Sequence, residues 1–548
     1  MFKQPLIKDL KFISIFAIFL IAGAFLSACK RNVSGSQSVF YYNESTGIST
    51  LDPAFAKNQS IMWAVHQLYN TLVEIDSNLN IRPSVAKSWE ISNDRLTYTF
   101  HLRDSIFFHD HPVFKNGKGR KLTASDVVYS LNRIQDKKVA SSGAWIFNNK
   151  IATNGFKALN DSTFQLILLH PFQPILGILS MQYCSIVPAE VVELYGKDFR
   201  NHPCGSGPFK FVSWDEGEAL ILHKNKAYWE KDSTGSPLPY LDAVYLSFYD
   251  NKATEFLQFR QGKLSFINDI DPSFKDELLT KAGTLRKEWN NKIQLKKHPY
   301  LNTEYLGILI DERNPLVKTS PTRLKTVRQA MNYAINRPQL MMYMRNSIGL
   351  PAESGFVPGG LPSKNVEMVK GYHYDPAKAR FLLSQAGYDV NQPVKIKLLT
   401  VAIYADVASF IARQMEEVGI NIQVEVVQKS LLLEQTAQSN ALFFRGSWIA
   451  DYPDAENYMA MFYSKNPAPP NYTRFNNAEF DQLYEKALSE TNDSVRYALY
   501  RRMDQLVINE APVIPLWYDM AIHLVQPNIT GFYPNALNLL ELRYAKIR

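Results

Sequence analysis

The sequence predicts an α/β protein built in more than one lobe. Its 548 residues exceed the size at which one hydrophobic core usually suffices, so two or three lobes are expected. Hydrophobic residues make up 46% and charged residues 20%, globular proportions that exclude wholesale disorder. The second half alternates between helical and extended periodicity, the pattern of strand–helix–strand units.

The N-terminus reads as an export signal. Lys3, Lys8 and Lys11 precede an apolar stretch from Phe12 to Leu26, which ends in Leu26-Ser27-Ala28-Cys29. A short apolar run closed by small residues is a secretory signal rather than a membrane span. The tetrapeptide resembles the bacterial lipobox, which makes Cys29 the expected lipidated first residue of the mature chain. Removing residues 1–28 takes away three lysines and one aspartate, so the net charge falls from +8 to +6. Residues 29–37 are polar and small, as a tether would be.

Structure is expected to begin at the strand-like run Val39–Tyr42. From Trp89 to Arg103 the pattern is a hairpin, with Tyr98, Phe100 and Leu102 alternating and Asn93-Asp94 at the turn. Thr123 and Asp126 open a helix whose apolar face is Val127, Val128, Leu131 and Ile134. Val327, Ala330, Met331, Ala334 and Ile335 mark another. Asp375 and Pro376 cap and start a third, with Ala379, Leu382, Leu383 and Ala386 on its face and Gly387 at its end. Val394, Ile396 and Leu398 then alternate as a strand. Val407, Phe410, Ile411, Met415 and Val418 form a helix that stops at Gly419. Ile420, Ile422, Val424 and Val426 alternate again, which completes a parallel crossover unit.

Composition narrows the function. A net charge of +8 comes without a nucleic-acid-like basic run, because the densest stretch, Lys115–Lys121, is short and Gly-rich and reads as a hairpin tip. No Gly-Lys-Ser/Thr closes a phosphate loop. An enzyme finds no support, with no Gly-x-Ser-x-Gly, His-Glu-x-x-His or Cys-x-x-Cys. No cofactor is implied, and His109-Asp110-His111 reads as a polar turn before it reads as a metal site. Aromatics at 13% suit either large cores or surfaces that grip varied ligands. Beyond Cys29, Cys184 and Cys204 are the only cysteines. In an exported chain they suggest one disulfide worth ~3 kcal/mol, with two unpaired thiols as the alternative.

The richest segment is Phe443–Asn457. An apolar strand runs into Arg445, Trp448, Asp451 and Tyr452, and strand ends of open α/β sheets are where ligands bind. Asp451 suits a cationic group, Arg445 an anionic one, and Trp448 offers a flat apolar wall. The same residues also fit a structural Arg–Asp ion pair beside a core Trp.

Several motifs occur in one order. They are Leu51-Asp52-Pro53, Pro83–Trp89 with Tyr98–Arg103, Leu122–Tyr129 and Gly205-Ser206-Gly207-Pro208-Phe209 with Asn225 and Tyr228-Trp229. Val327–Ala330 with Ala334–Arg337, Ala386–Tyr388 and Trp448–Asp454 follow. Together they resemble family 5 of the bacterial extracellular solute-binding proteins, the oligopeptide- and dipeptide-binding lipoproteins of ABC importers, over nearly the whole mature chain. Departures are Ala455 after Asp454, an enlarged turn at His111–Arg120 and a short loop at Thr400–Asp406.

The resemblance implies a bilobed, periplasmic-binding-protein-like clamp of type II, in the large cluster with an extra subdomain. By analogy residues 38–72, 172–299 and 526–548 form lobe I, 73–171 the extra subdomain and 300–525 lobe II. It implies that Asp451 holds a peptide α-ammonium, Arg445 helps hold the carboxylate, Trp448 walls the pocket beside Tyr452, and the backbone near Asn58 and Gln59 lies along the ligand. It places Cys204 beside Cys184 on a neighbouring strand. The expected protein is a lipid-anchored, extracytoplasmic monomer at a bacterial membrane, which passes short peptides to ABC permease subunits and does not contact nucleic acid. The alternatives are the same fold with a metal chelate, haem, oligosaccharide or opine-like solute, or a chaperone-like surface lipoprotein.

Overall fold

Residues 38–271, 273–365 and 367–548 are described by a computed structural model. The expected signal peptide, the Cys29 lipidation site and the tether to residue 37 lie outside them.

The chain opens with β1 (Val39–Asn43) and helix α1 (Gln59–Leu68), which Asn58 caps by accepting the Ile61 N–H at 3.1 Å. A short antiparallel ribbon, β2 (Val73–Ile75) and β3 (Ile81–Pro83), follows. Next comes a four-stranded antiparallel sheet of β4 (Ala86–Ile91), β5 (Thr97–Leu102), β6 (Ile151–Asn160) and β7 (Thr163–Leu168), in the order β4-β5-β7-β6. The expected hairpin is β4–β5, and its alternating Tyr98, Phe100 and Leu102 are buried. Helix α2 (Ala124–Gln135) packs on this sheet through Val127, Leu131 and Ile134. Its start is fixed by the Asp126 carboxylate, which accepts from the Thr123 N–H at 2.8 Å and the Thr123 hydroxyl at 3.0 Å.

β8 (Phe209–Asp215), β9 (Ala219–Lys224) and β10 (Ala243–Ser247) then join β1 in the order β1-β10-β9-β8. The third sheet is mixed. It holds β11 (Phe266–Asn268), β12 (Gln294–Ile308), β13 (Leu350–Pro351), β14 (Val394–Thr400), β15 (Ile420–Val426), β16 (Phe443–Ile449) and β17 (Val513–Val525). The order is β11-β17-β12-β16-β14-β15, with β13 also on β17. Helices α3 (Lys325–Tyr333), α4 (Pro376–Gln385) and α5 (Ala405–Glu416) cover it. β14, α5 and β15 form the expected crossover unit, with the strands parallel from Val394↔Ile420 to Thr400↔Val426. β15 is the edge strand; Ile420 at its start is buried and Val426 at its end is exposed.

Two long antiparallel strands, β12 and β17, run past one another from Gln294↔Val525 to Gly307↔Val513. Residues 266–268 and 294–299, placed by the sequence analogy in lobe I, therefore hydrogen-bond to β17 in the third sheet. The pairing breaks register between Pro299 and Thr303, a bulge that turns the strand and releases Tyr300 from the ladder.

The expected Cys184–Cys204 disulfide is corrected by the structure, in which both cysteines are free and buried. Each thiol has its own acceptor: Cys184 donates to the Ile178 carbonyl at 3.4 Å and Cys204 to the His109 carbonyl at 3.5 Å. They behave as small core hydrophobes. Burial pushes both thiols up, Cys204 to about 12, with Cys184 higher still. Alkylation is therefore expected only on unfolding. Mass spectrometry after labelling in denaturant without reductant should find both residues 184 and 204 modified, and labelling that requires reductant would reinstate the bond.

Candidate ligand-binding site

The Gly205–Phe209 motif builds one wall. Here the chain crosses the end of α1 so closely that a Cβ at Gly205 would lie 2.1 Å from the Leu68 carbonyl oxygen, a contact only glycine avoids. The Gly207 N–H donates to that same carbonyl at 2.9 Å. Ser206 donates to Asn70 Oδ1 at 3.1 Å and Asn225 to the Gly207 carbonyl at 3.0 Å. The motif thus locks the end of α1 and the turn at Tyr69–Thr71.

Those residues face a cavity of about 770 Å³, within the range of small-ligand sites. Helix α1 and its approach contribute Lys57, Asn58, Gln59, Met62, Trp63 and His66. The turn at Ser180–Tyr183, with Ser142 and Trp145, forms a second side. The C-terminal segment adds Leu537–Leu539 and Arg543, with Glu74 beside it. Opposite stand the end of β16 and beyond (Ile449, Ala450, Asp451), Tyr300 from the β12 bulge, and Lys429, the first residue of α6 (Lys429–Ala437). Both halves of the chain therefore line one space.

Asp451 is the chemically distinctive wall residue. Its carboxylate accepts from the Asn457 amide at 3.3 Å, and among the described residues no cation lies within ion-pair distance. Burial, only partly offset by Asn457, raises its pKa above the ordinary aspartate value. Asn457 also accepts from the Trp448 indole N–H at 2.9 Å and the Asp451 N–H at 3.4 Å, so one amide ties the end of the strand to the residue just beyond it.

The other expected site residues divide. Asn58 and Gln59 line the cavity with Asp451, Asn58 as the α1 cap and Gln59 accepting from Asn268 at 3.3 Å. Arg445, Trp448 and Tyr452 are not lining residues. Arg445 is bound by Glu304 of the neighbouring β12. Its Nε donates to Oε2 at 3.0 Å and its Nη2 reaches both carboxylate oxygens, while its guanidinium covers Tyr404 at 3.8 Å. Trp448 packs with the partly buried edge of a core. Tyr452 is buried, gives its hydroxyl to Glu456, and packs by its Cβ against Gly177, where an added Cβ would sit 3.3 Å away.

Sequence reasoning missed Lys57, Lys429, Tyr183, Tyr300 and the Glu74–Arg543 end. Arg543 Nη1 donates to Glu74 at 3.1 Å and to Glu230 at 2.6 Å, and Nη2 pairs with Glu541. These residues are far apart in sequence, so no local motif announces them. Pro299, which cannot donate to a ladder, was the one readable signal beside Tyr300.

Comparison with known proteins gives a consistent picture. The family described as bacterial extracellular solute-binding proteins, family 5 Middle, matches residues 80–470. The chain is 26% identical over 498 residues to the glutathione-binding protein GsiB of Shigella flexneri, covering 89% of this chain and 90% of that one. It is 26% identical over 520 residues to heme-binding protein A of Haemophilus influenzae, covering 91% and 90%. Among solved structures, it is similar to the periplasmic binding protein DppA of Helicobacter pylori in complex with the peptide STSA. That match has 25% identity and a TM-score of 0.75, covering 93% of this chain and 98% of that one. It is also similar to HbpA2 from Haemophilus parasuis, with 20% identity and a TM-score of 0.80, covering 93% and 100%. The fold is thus the expected bilobed clamp.

The Glu304–Arg445 pair generates a stability prediction. Glu304→Ala leaves a buried guanidinium unpaired and is expected to cost about 3–5 kcal/mol in denaturant unfolding. The double variant Glu304→Leu/Arg445→Met should recover most of that loss. A single variant as stable as the parent would show that the pair carries no weight.

Proposed function

The chain belongs to the bacterial extracellular solute-binding proteins, family 5, and we propose that it captures short peptides, with Asp451 receiving the peptide α-ammonium. The carrying observation is the carboxylate itself, partly buried at a cavity wall with an amide but no cation beside it. A charge in that position is costly alone and favourable once an ammonium arrives. Two relatives point the same way, one named for glutathione and one solved with a peptide, since both guests carry a free ammonium.

The rest of the cavity suits an extended guest. Lys57–Gln59 and Ile449–Asp451 line the cavity from opposite halves of the chain, and main-chain groups there not bonded internally would meet a guest independently of its sequence, the logic of strand addition. Lys57 and Lys429 line the space without a carboxylate partner among the described residues, and serve the peptide carboxylate in place of Arg445. A guest touching both halves favours the closed clamp, the form a membrane permease of the importer reads. The Cys29 lipid holds the protein at the extracytoplasmic membrane face. No described helix is long and apolar enough to cross a membrane.

Asp451→Asn is expected to weaken peptide binding at least tenfold by calorimetry, since a charge-assisted hydrogen bond is worth roughly 1.5–3 kcal/mol. The unliganded variant should melt at the same temperature or higher, because it no longer buries an unpaired charge. Unchanged affinity, or a thermal-shift screen in which haem or sugars stabilise the protein and peptides do not, would overturn the reading.

Acidification supplies an independent check. Binding an ammonium needs Asp451 ionised, and its pKa stands above the ordinary aspartate value. Affinity is therefore expected to fall with decreasing pH earlier than an exposed aspartate would allow. In the free protein the sign is opposite: a raised carboxyl pKa makes this residue's stability contribution decline as pH rises past the unfolded value. Asp451→Asn should flatten both dependences.

A further inference from the structure

Beside the cavity, along the paired strands β12 and β17, a knot of buried polar atoms has more lone pairs than donors. His298 and His523 are diagonal neighbours on one face of that ladder, since His298 pairs with Ala521 and Lys296 with His523. Their ring centroids lie 5.0 Å apart. Asn538, whose carbonyl accepts from the Trp63 indole at 2.7 Å, lines the cavity on one side and stands beside both imidazoles on the other. We propose that His298, His523 and Asn538 bind one divalent transition-metal ion of the zinc, nickel or copper type. The inference is independent of the peptide reading.

The Nε2 of His523 lies 3.1 Å from Asn268 Oδ1. The Asn268 amide is turned so that its Nδ2 donates to Gln59 at 3.3 Å. Asn268 Oδ1 is thus an acceptor, His523 carries its proton on Nε2, and Nδ1 keeps a bare lone pair. A ring whose far N–H is fixed on a carbonyl oxygen is the usual form of a metal-bound histidine. That Nδ1 is buried with no hydrogen-bond partner among the described residues, as are both ring nitrogens of His298 and Asn538 Oδ1. His523 and Asn538 are only 1% and 5% exposed, so bulk water does not make up the deficit. At most one N–H, that of a neutral His298, faces three atoms with lone pairs. Buried acceptors left over in this way call for a donor or a cation.

The spacing and the donor set select the ion. Two imidazoles on one tetrahedral ion, at metal–nitrogen distances of about 2.1 Å, hold their ring centroids about 5 Å apart, the separation seen here. Burial pulls both imidazoles below the ordinary histidine value, His298 to about 4 and His523 to about 3, and the Asn538 side chain offsets part of that in each. Neither ring therefore has to shed a proton before it ligates at neutral pH. Imidazole nitrogens suit zinc, nickel and copper, whereas calcium and magnesium demand oxygen ligands throughout. The rings of Phe266 and Phe532 stand edge-on to His523, with centroids 5.1 and 5.5 Å away, and form apolar walls. Lys296, opposite His523 in the ladder, is a like charge that limits the affinity. An ion held here ties β12 and β17 to the C-terminal segment that lines the cavity.

Calorimetric titration of ZnCl2 into the EDTA-treated protein is expected to show one ion per chain. His298→Gln, at a half-buried position, should weaken binding at least tenfold. Asn538→Asp, which gives the ion a carboxylate, should tighten it at least tenfold. With Cu2+ as the probe, electron paramagnetic resonance should show coupling to two imidazole nitrogens in the parent and to one in His298→Gln. Because Asn538→Asp predicts a gain, a variant that fails to fold does not imitate the expected result. Absence of a bound ion, or an affinity that neither variant moves, would overturn the site and leave a buried water as the group that meets these lone pairs.

Discussion

Asp451 is a carboxylate that the fold half buries at a cavity wall and leaves without a cation. Glu456 and Asp504 are also buried without an ion-pair partner among the described residues, but tyrosine hydroxyls satisfy the first and backbone N–H groups the second. Other carboxylates are ion-paired. Asp52 has Arg133, Glu304 has Arg445, Asp454 has Arg496, and Glu74, Glu230 and Glu541 share Arg543. Each of those carboxylates has a guanidinium within ion-pair distance. At Asp451 only an amide is offered, at 3.3 Å, and burial holds its pKa above the ordinary aspartate value. A guest that supplies positive charge relieves a strain the free protein carries. That difference between occupied and empty states is what allows a ligand to shift an equilibrium between conformations, since equal affinity for both would shift nothing.

A wall charge of this kind needs rigid surroundings, and these come from segments distant in sequence. The C-terminal segment is stitched to α1: the Trp63 indole donates to the Asn538 carbonyl at 2.7 Å and Gln67 to the Leu540 carbonyl at 2.7 Å. Arg543 then gathers three carboxylates at the cavity end. Removing it would strand them in a nearly dry site, so it holds the wall at high stakes. On the other side, β12 and β17 pair over most of their length, and the bulge at Pro299–Thr303 spends a few ladder bonds to aim Tyr300 into the space. Precision at the site therefore depends on long-range contacts rather than on the loop that carries Asp451.

What the sequence made legible follows from this distribution. The α/β class was readable because β14, α5 and β15 each have a strong local period and bury what that period predicts. Asn58, Gln59 and Asp451 were readable because they sit in short motifs at element ends. Arg445 was legible as a charge but not as a contact: its partner Glu304 lies on β12, more than a hundred residues earlier, and a strand pairing of that kind leaves no local trace. The cysteines misled for a related reason. An even count in an exported chain favours a bond, but burial beside separate carbonyls is decided by tertiary packing. Lys57 and Lys429 were invisible because an exposed lysine has no pattern to distinguish a cavity rim from ordinary surface.

The exchange of a buried arginine for rim lysines alters what the cavity selects. A guanidinium clamped at a set distance from Asp451 would measure a ligand from ammonium to carboxylate, because a planar fork recognises carboxylates in fixed geometry. With Arg445 held by Glu304 of the neighbouring strand, that ruler is withdrawn. Lys57 and Lys429 are flexible point charges on opposite halves of the clamp, each able to meet a carboxylate over a range of positions. One end of the guest is then fixed precisely and the other only loosely. On the proposed peptide reading, such a site would discriminate strongly for a free amino terminus and weakly for length.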